Sequence, residues 1–136
     1  FGAGYHIPSG TLYASGETPR GWYRMNTSTA TAVFLGEPDA SLTDIAWDPI
    51  RETFVGYEGL SGKLYSISLG TGDTTLIANL TFINNGGIEV DPLTGDYYII
   101  DLSGNFYRVQ PDADYTRTEI MSGIGAHDGL TVGPPR

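Results

Sequence analysis

A self-similarity of about 42 residues runs along this 136-residue chain and constrains its fold more than any other feature. Three aromatic or apolar pairs, Trp22-Tyr23, Leu64-Tyr65 and Phe106-Tyr107, each continue into a polar and then an apolar residue, and their tyrosines recur every 42 residues. A second anchor keeps the same phase: Asp44-Ile45-Ala46-Trp47-Asp48-Pro49, Gly87-Ile88-Glu89-Val90-Asp91-Pro92 and Gly129-Leu130-Thr131-Val132-Gly133-Pro134. A third follows the proline, at Ser9 to Tyr13, Arg51 to Val55 and Thr94 to Tyr98. In the second anchor Ile45 and Trp47 flank Ala46, Ile88 and Val90 flank Glu89, and Leu130 and Val132 flank Thr131, the period of two that a strand imposes on its faces. The proline cannot donate to a ladder, so it ends that strand and starts a turn such as Asp91-Pro92-Leu93-Thr94-Gly95.

The same phase predicts three more strands per repeat. They fall near Leu12–Ser15, Phe54–Tyr57 and Tyr97–Asp101, then at the tyrosine anchors, then at Ala32–Leu35, Thr74–Ala78 and Thr116–Met121. No stretch keeps the i, i+3, i+4, i+7 spacing of an amphipathic helix. Nineteen glycines and nine tyrosines fit many turns and strands. Seven basic against sixteen acidic residues give a net charge of −9, which argues against a phosphate-tracking surface, so nucleic acid is excluded as an expected partner. With no cysteine the chain has no disulfide framework, thiolate metal site or thiol nucleophile, and no apolar run is long enough for a membrane-spanning helix.

The string Asn85-Gly86-Gly87-Ile88-Glu89-Val90-Asp91-Pro92-Leu93-Thr94-Gly95-Asp96-Tyr97-Tyr98-Ile99-Ile100-Asp101 resembles the blade unit of β-propellers of the NHL, YVTN and SMP-30/gluconolactonase type. All three repeats fit it, and the Gly-His and Trp-Asp pairs of WD40 blades are missing. The resemblance implies an all-β propeller in which the Asp-Pro strand is innermost and successive strands run outward. Three four-stranded antiparallel blades are then expected at about 1–36, 37–80 and 81–122, with 123–136 as an extra inner strand. Three blades leave unpaired faces. Two copies closing a six-bladed ring, a larger assembly, or further blades of a longer chain would each cover them, and the dimer is the favoured expectation.

Loops expected on the ligand-binding face carry Glu17, Glu37, Asp39, Asp44, Glu58, Asn84, Asn85, Asp101, His127 and Asp128, so that face should be acidic. Carboxylate and amide oxygens suit calcium or another hard divalent cation. In SMP-30-like enzymes such a metal sits in the channel near the starts of the inner strands, and the matching positions here are Asp44, Asn85 and Asp128. Asp and Asn are equally at home in turns. The Asn-Gly-Leu element of that family reads Asn84-Asn85-Gly86-Gly87-Ile88 here, a departure that shifts the amide by one residue. Trp22 and Tyr57, with Glu58 and His127, are candidate ligand contacts, and the rings of Trp22, Trp47 and Tyr57 are candidate stacking platforms for a sugar. Aromatic residues at matching blade positions, Tyr23, Tyr65 and Tyr107, read as packing between blades. His127-Asp128 has no nucleophile placed beside it and does not define a catalytic pair.

The expected function is therefore a non-catalytic propeller module for protein assembly or ligand binding. Its alternatives are a metal-dependent lactonase-like hydrolase formed from paired half-propellers and a lectin-like propeller. A start at Phe1 without Met suggests processing or an excerpt, and the sequons at Asn26 and Asn79 are compatible with an extracellular or periplasmic location.

Overall fold

A computed structural model describes residues 2–81, 86–125 and 130. Among them the chain forms three four-stranded antiparallel sheets, each built from strands in sequence order. The first comprises β1 (Gly2–His6), β2 (Thr11–Glu17), β3 (Arg20–Asn26) and β4 (Thr31–Gly36). The second comprises β5 (Asp44–Asp48), β6 (Thr53–Glu58), β7 (Lys63–Ile67) and β8 (Thr74–Asn79). The third comprises β9 (Gly86–Val90), β10 (Tyr97–Asp101), β11 (Phe106–Gln110) and β12 (Thr116–Met121). Every strand anchored by the repeat is present within these residues. Most of the expected extra inner strand at 123–136 lies outside the described residues.

Register makes the blades superimposable residue by residue. Tyr5 pairs with Leu12, Trp47 with Phe54 and Val90 with Tyr97, so these are equivalent pairs at the inner end of each blade. A β-bulge also recurs where the third strand meets the fourth: at Trp22/Tyr23, Leu64/Tyr65 and Phe106/Tyr107 the ladder skips one residue of the outer strand. The skipped residues are Leu35, Ile77 and Ile120. Leu35 and Ile77 are thereby turned onto the cores between successive blades.

Those cores lie between sheets rather than within them. Tyr13 and Trp22 of the first blade pack with Leu42, Ile45, Trp47, Phe54 and Ile67 of the second. Val55, Tyr57, Leu64 and Leu80 of the second pack with Ile88, Val90, Tyr97, Ile99 and Val109 of the third. A single sheet of five-residue strands has no second layer to bury its apolar face, so each blade relies on its neighbour. Glycine permits the closest approach: a Cβ on Gly4 would lie 2.6 Å from the Phe54 ring, and one on Gly2 would lie 2.6 Å from the Ile45 backbone nitrogen.

The two interfaces use different chemistry. Between blades one and two, Phe54 sits among Tyr13, Trp22, Trp47 and His6, with ring centroids 5.3–6.3 Å away. Between blades two and three, the fully buried Asp48 accepts hydrogen bonds from the Ile50 and Arg51 backbone N–H groups, the Arg51 guanidinium and the Tyr97 hydroxyl. Arg51 also donates to the Gly95 carbonyl and to Asp112. A buried carboxylate stripped of its cation is costly, whereas an exposed ion-pair partner contributes little. Arg51→Ala should therefore lower stability by about 2–4 kcal/mol in urea unfolding. Asp112→Ala, at a side chain 86% exposed, should cost under about 1 kcal/mol. Equal losses in the two variants would contradict this division of labour.

Candidate functional site

The candidate residues do not converge on one described surface. Trp22 is fully buried: its ring stacks on Tyr13 at 5.4 Å and its indole N–H donates to the Leu69 carbonyl of the next blade at 3.0 Å. Tyr57 is likewise fully buried within the second core. Burial, and after it the charge of Asp101, raises its hydroxyl pKa well above the usual phenol range. Both rings are thus corrected from stacking platforms to inter-blade packing, because neither has a face open to a sugar.

Two of the three repeated tyrosines pack between blades as expected, and Tyr23 packs within its own blade. Tyr107 is in the core between blades two and three, and Tyr65 packs onto the core between blades one and two. Tyr23, on the outer side of blade one, is half-buried against Phe34 with ring centroids 5.7 Å apart.

Glu58 and Asp101 hold equivalent positions at the end of the second strand, where they fasten the next hairpin. Asp101 accepts from the Ser103 and Asn105 backbone N–H groups, the Asn105 amide and the Tyr107 hydroxyl. Glu58 accepts from the Ser61 hydroxyl, the Tyr65 hydroxyl at 3.5 Å and the Ser41 backbone N–H at 3.4 Å. Burial is the first cause raising the pKa of both tyrosines, and the neighbouring carboxylate adds to it. Of the carboxylates expected on an acidic binding face, Glu58 and Asp101 are engaged in turn construction, while Glu17, Glu37 and Asp39 are exposed.

Of the candidate metal ligands, Asp44 is described and Asn85 and Asp128 lie outside the described residues, as does His127. Asp44 stands at the start of β5, where one of its oxygens accepts the Ile88 N–H of the neighbouring inner strand at 3.0 Å. Among the described residues no group of three His, Asp or Glu side chains could hold a metal ion. One carboxylate already bound to a backbone amide does not make a cation cradle.

The unpaired faces expected of a three-blade chain are the open outer faces of the terminal blades. At the position shared by Tyr5, Trp47 and Val90, Tyr5 is 54% exposed while Trp47 and Val90 are 8% and 3% exposed. At the far end, Phe106 and Tyr98 are half-buried and Ile120 is 48% exposed, whereas their counterparts Leu64 and Val55 are fully buried. The signal was the repeat itself, since a residue apolar in all three copies must face a neighbouring blade. One feature was missed in the sequence: a cleft between the first two blades, lined by His6, Trp47, Glu52 and Phe54 among others, with a volume of about 440 Å³.

No protein-family model matches the chain, and no curated protein matches it. Solved structures do. One chain of a crystal structure of a nidogen/laminin complex aligns with a TM-score of 0.77 at 16% identity, over 95% of this chain and 51% of that one. A structural-genomics protein of unknown function from Bacteroides thetaiotaomicron aligns with a TM-score of 0.73 at 11% identity, over 94% of this chain and 40% of that one. Together with the three four-stranded sheets, these likenesses show a β-propeller-like fold. The chain spans about half or less of the structures it matches. Among the described residues no helix is long and apolar enough to cross a membrane.

Asp44 gives the site a pH signature. Burial raises its pKa from 3.8 to about 6, against the pull of the Ile88 and Ile45 amides and with some help from Glu89. Between those values the folded chain keeps a proton that the unfolded chain releases, so stability falls as pH rises from about 4 to 6. The loss should be on the order of 1–3 kcal/mol. Asp44→Asn should remove that part of the slope in urea unfolding at pH 4.5 and 7; an unchanged slope would refute it.

Proposed function

We propose that this chain is a non-catalytic propeller module whose work is association, with its two open blade faces completed by the blades of a second copy. The observation that carries this is the asymmetry of the inner strands. In β5, covered on both sides, Ile45, Ala46, Trp47 and Asp48 are all buried, whereas β1 alternates buried Gly2, Gly4 and His6 with exposed Ala3 and Tyr5. The exposed set on blade one, Ala3 and Tyr5 with half-buried Leu12 and Met25, matches by register the side of blade two that receives blade one. The exposed or half-buried set on blade three, Tyr98, Phe106 and Ile120, matches the side of blade two that receives blade three. The two faces are therefore complementary to each other in the way the internal faces are.

A head-to-tail pair would bring both open faces together at once and close the ring without leaving a bare edge. That the aligned part is 51% of the matched chain of the nidogen/laminin structure supports a partner of this size. Fully burying an aromatic side chain such as Tyr5 or Phe106 contributes roughly 1.5–3 kcal/mol each. Among the described residues a metal-dependent hydrolase has support only from Asp44, and a sugar-binding rim loses Trp22 and Tyr57 to the interior.

The chain lacks cysteine, so site-directed cross-linking is unambiguous. By analogy with Phe54, whose ring lies 5.4 Å from Trp22, Leu12 of one copy should meet Phe106 of the other. The Leu12→Cys/Phe106→Cys variant treated with a short bismaleimide should give a covalent dimer, with cross-linking suppressed by Tyr5→Glu. A product that stays monomeric at concentrations where the parent is a dimer would defeat the head-to-tail arrangement.

A further inference from the structure

We propose that the cleft between blades one and two binds a guanidinium or ammonium group presented by a ligand. It is the counterpart of a space that Arg51 fills from within the chain one blade further on. The inner turns of the three blades are equal in length, so their residues correspond one to one: His6 with Asp48, Ser9 with Arg51, Glu52 with Gly95, and Phe54 with Tyr97.

Between blades two and three, the Arg51 guanidinium is held by the Asp48 carboxylate, the Gly95 carbonyl and Asp112, and lies 5.9 Å from the centroid of the Tyr97 ring. The counterparts of three of those four contacts, His6, Glu52 and Phe54, line the cleft. Where an arginine would enter, blade one carries Ser9. Its side chain is too short to cross the space, and its hydroxyl is instead tied to His6 Nδ1 at 2.5 Å. The volume of about 440 Å³ is thus left by a substitution at one position of a repeated design.

The lining has acquired features that suit a cation. At the turn position where Gly10 and Gly95 have φ of 62° and 71°, the middle blade places Glu52 at φ 52°. A non-glycine residue in the left-handed region is strained by about 1 kcal/mol or more and persists where its surroundings hold it. Here it sets a carboxylate at the rim in the position from which Gly95 offers Arg51 only a carbonyl. Trp47 replaces Val90 and joins Phe54 and His6 as an aromatic wall, the surface that attracts a cation. No lysine or arginine lines the cleft, and the chain as a whole carries a net charge of −9.

The group could arrive on a free small amine or on an arginine or lysine side chain of a polypeptide. Titration calorimetry with N-acetylarginine methylamide and with agmatine separates these sources: tighter binding of the first points to a peptide, tighter binding of the second to a free amine. Both should bind at least tenfold more tightly than N-acetylcitrulline methylamide, which has the same shape without the charge. Glu52→Gln, at an exposed side chain, should weaken binding about tenfold. Ser9→Arg should abolish it by supplying the missing guanidinium from inside, with the melting temperature maintained or raised. Equal binding of the arginine and citrulline probes, absence of binding at millimolar concentration, or affinity unchanged by Glu52→Gln would each overturn the proposal. Because the cleft lies between two blades of one chain, the result is independent of whether a second copy closes the ring.

Discussion

Packing of one blade face on the next is the constraint from which the rest of the structure follows. A four-stranded sheet of strands five to seven residues long satisfies its own backbone hydrogen bonds but leaves its apolar face wet. The fold resolves this by offering each blade a neighbour, and both apolar clusters among the described residues lie between sheets. This explains why the repeat is so regular at Trp22, Leu64 and Phe106 and at Leu12, Phe54 and Tyr97. Those positions meet across an interface and cannot drift independently. It also explains the recurring bulge, which turns Leu35 and Ile77 toward the next blade.

Within that regularity the two interfaces have diverged. The first is aromatic, with Phe54 enclosed by four rings, and it retains a cleft beside Glu52. The second is fastened by a buried carboxylate shared between Arg51 and Tyr97. A charged network of this kind specifies how two blades sit as much as how firmly, since the Tyr97 hydroxyl reaches Asp48 only when the next blade is in register. The difference between the interfaces shows how a repeat keeps its backbone plan while one position, Ser9 against Arg51, decides whether a space is filled or available.

Much of this was legible in the sequence because a period of two inside a period of about 42 leaves few alternatives. The expected strands at Tyr97–Asp101 and Thr116–Met121 coincide with β10 and β12, and the others differ by a residue or a few at their ends. The individual side chains were harder to place. Trp22 and Tyr23 are adjacent aromatic residues, and only the pairing of Ser15 with Trp22 reveals that Trp22 shares the face of Tyr13. The ring of Tyr57 suits a stacking platform as well as a core, and only the packing of the third blade against it shows that it is buried. Glu58 and Asp101 were read as a potential ligand surface, whereas their hydrogen bonds run back into the hairpins that follow them. Such contacts depend on which loop folds over which carboxylate, and spacing along the chain does not carry that information.

The central claim is that the faces exposed at Tyr5 and at Phe106 are interfaces awaiting blades, and that a second copy supplies them. Solution mass by light scattering, measured across a dilution series, tests it most directly. The account predicts a species of twice 14.6 kDa that dissociates only with loss of stability. A well-folded monomer of 14.6 kDa, stable at every concentration with both faces in water, would contradict it.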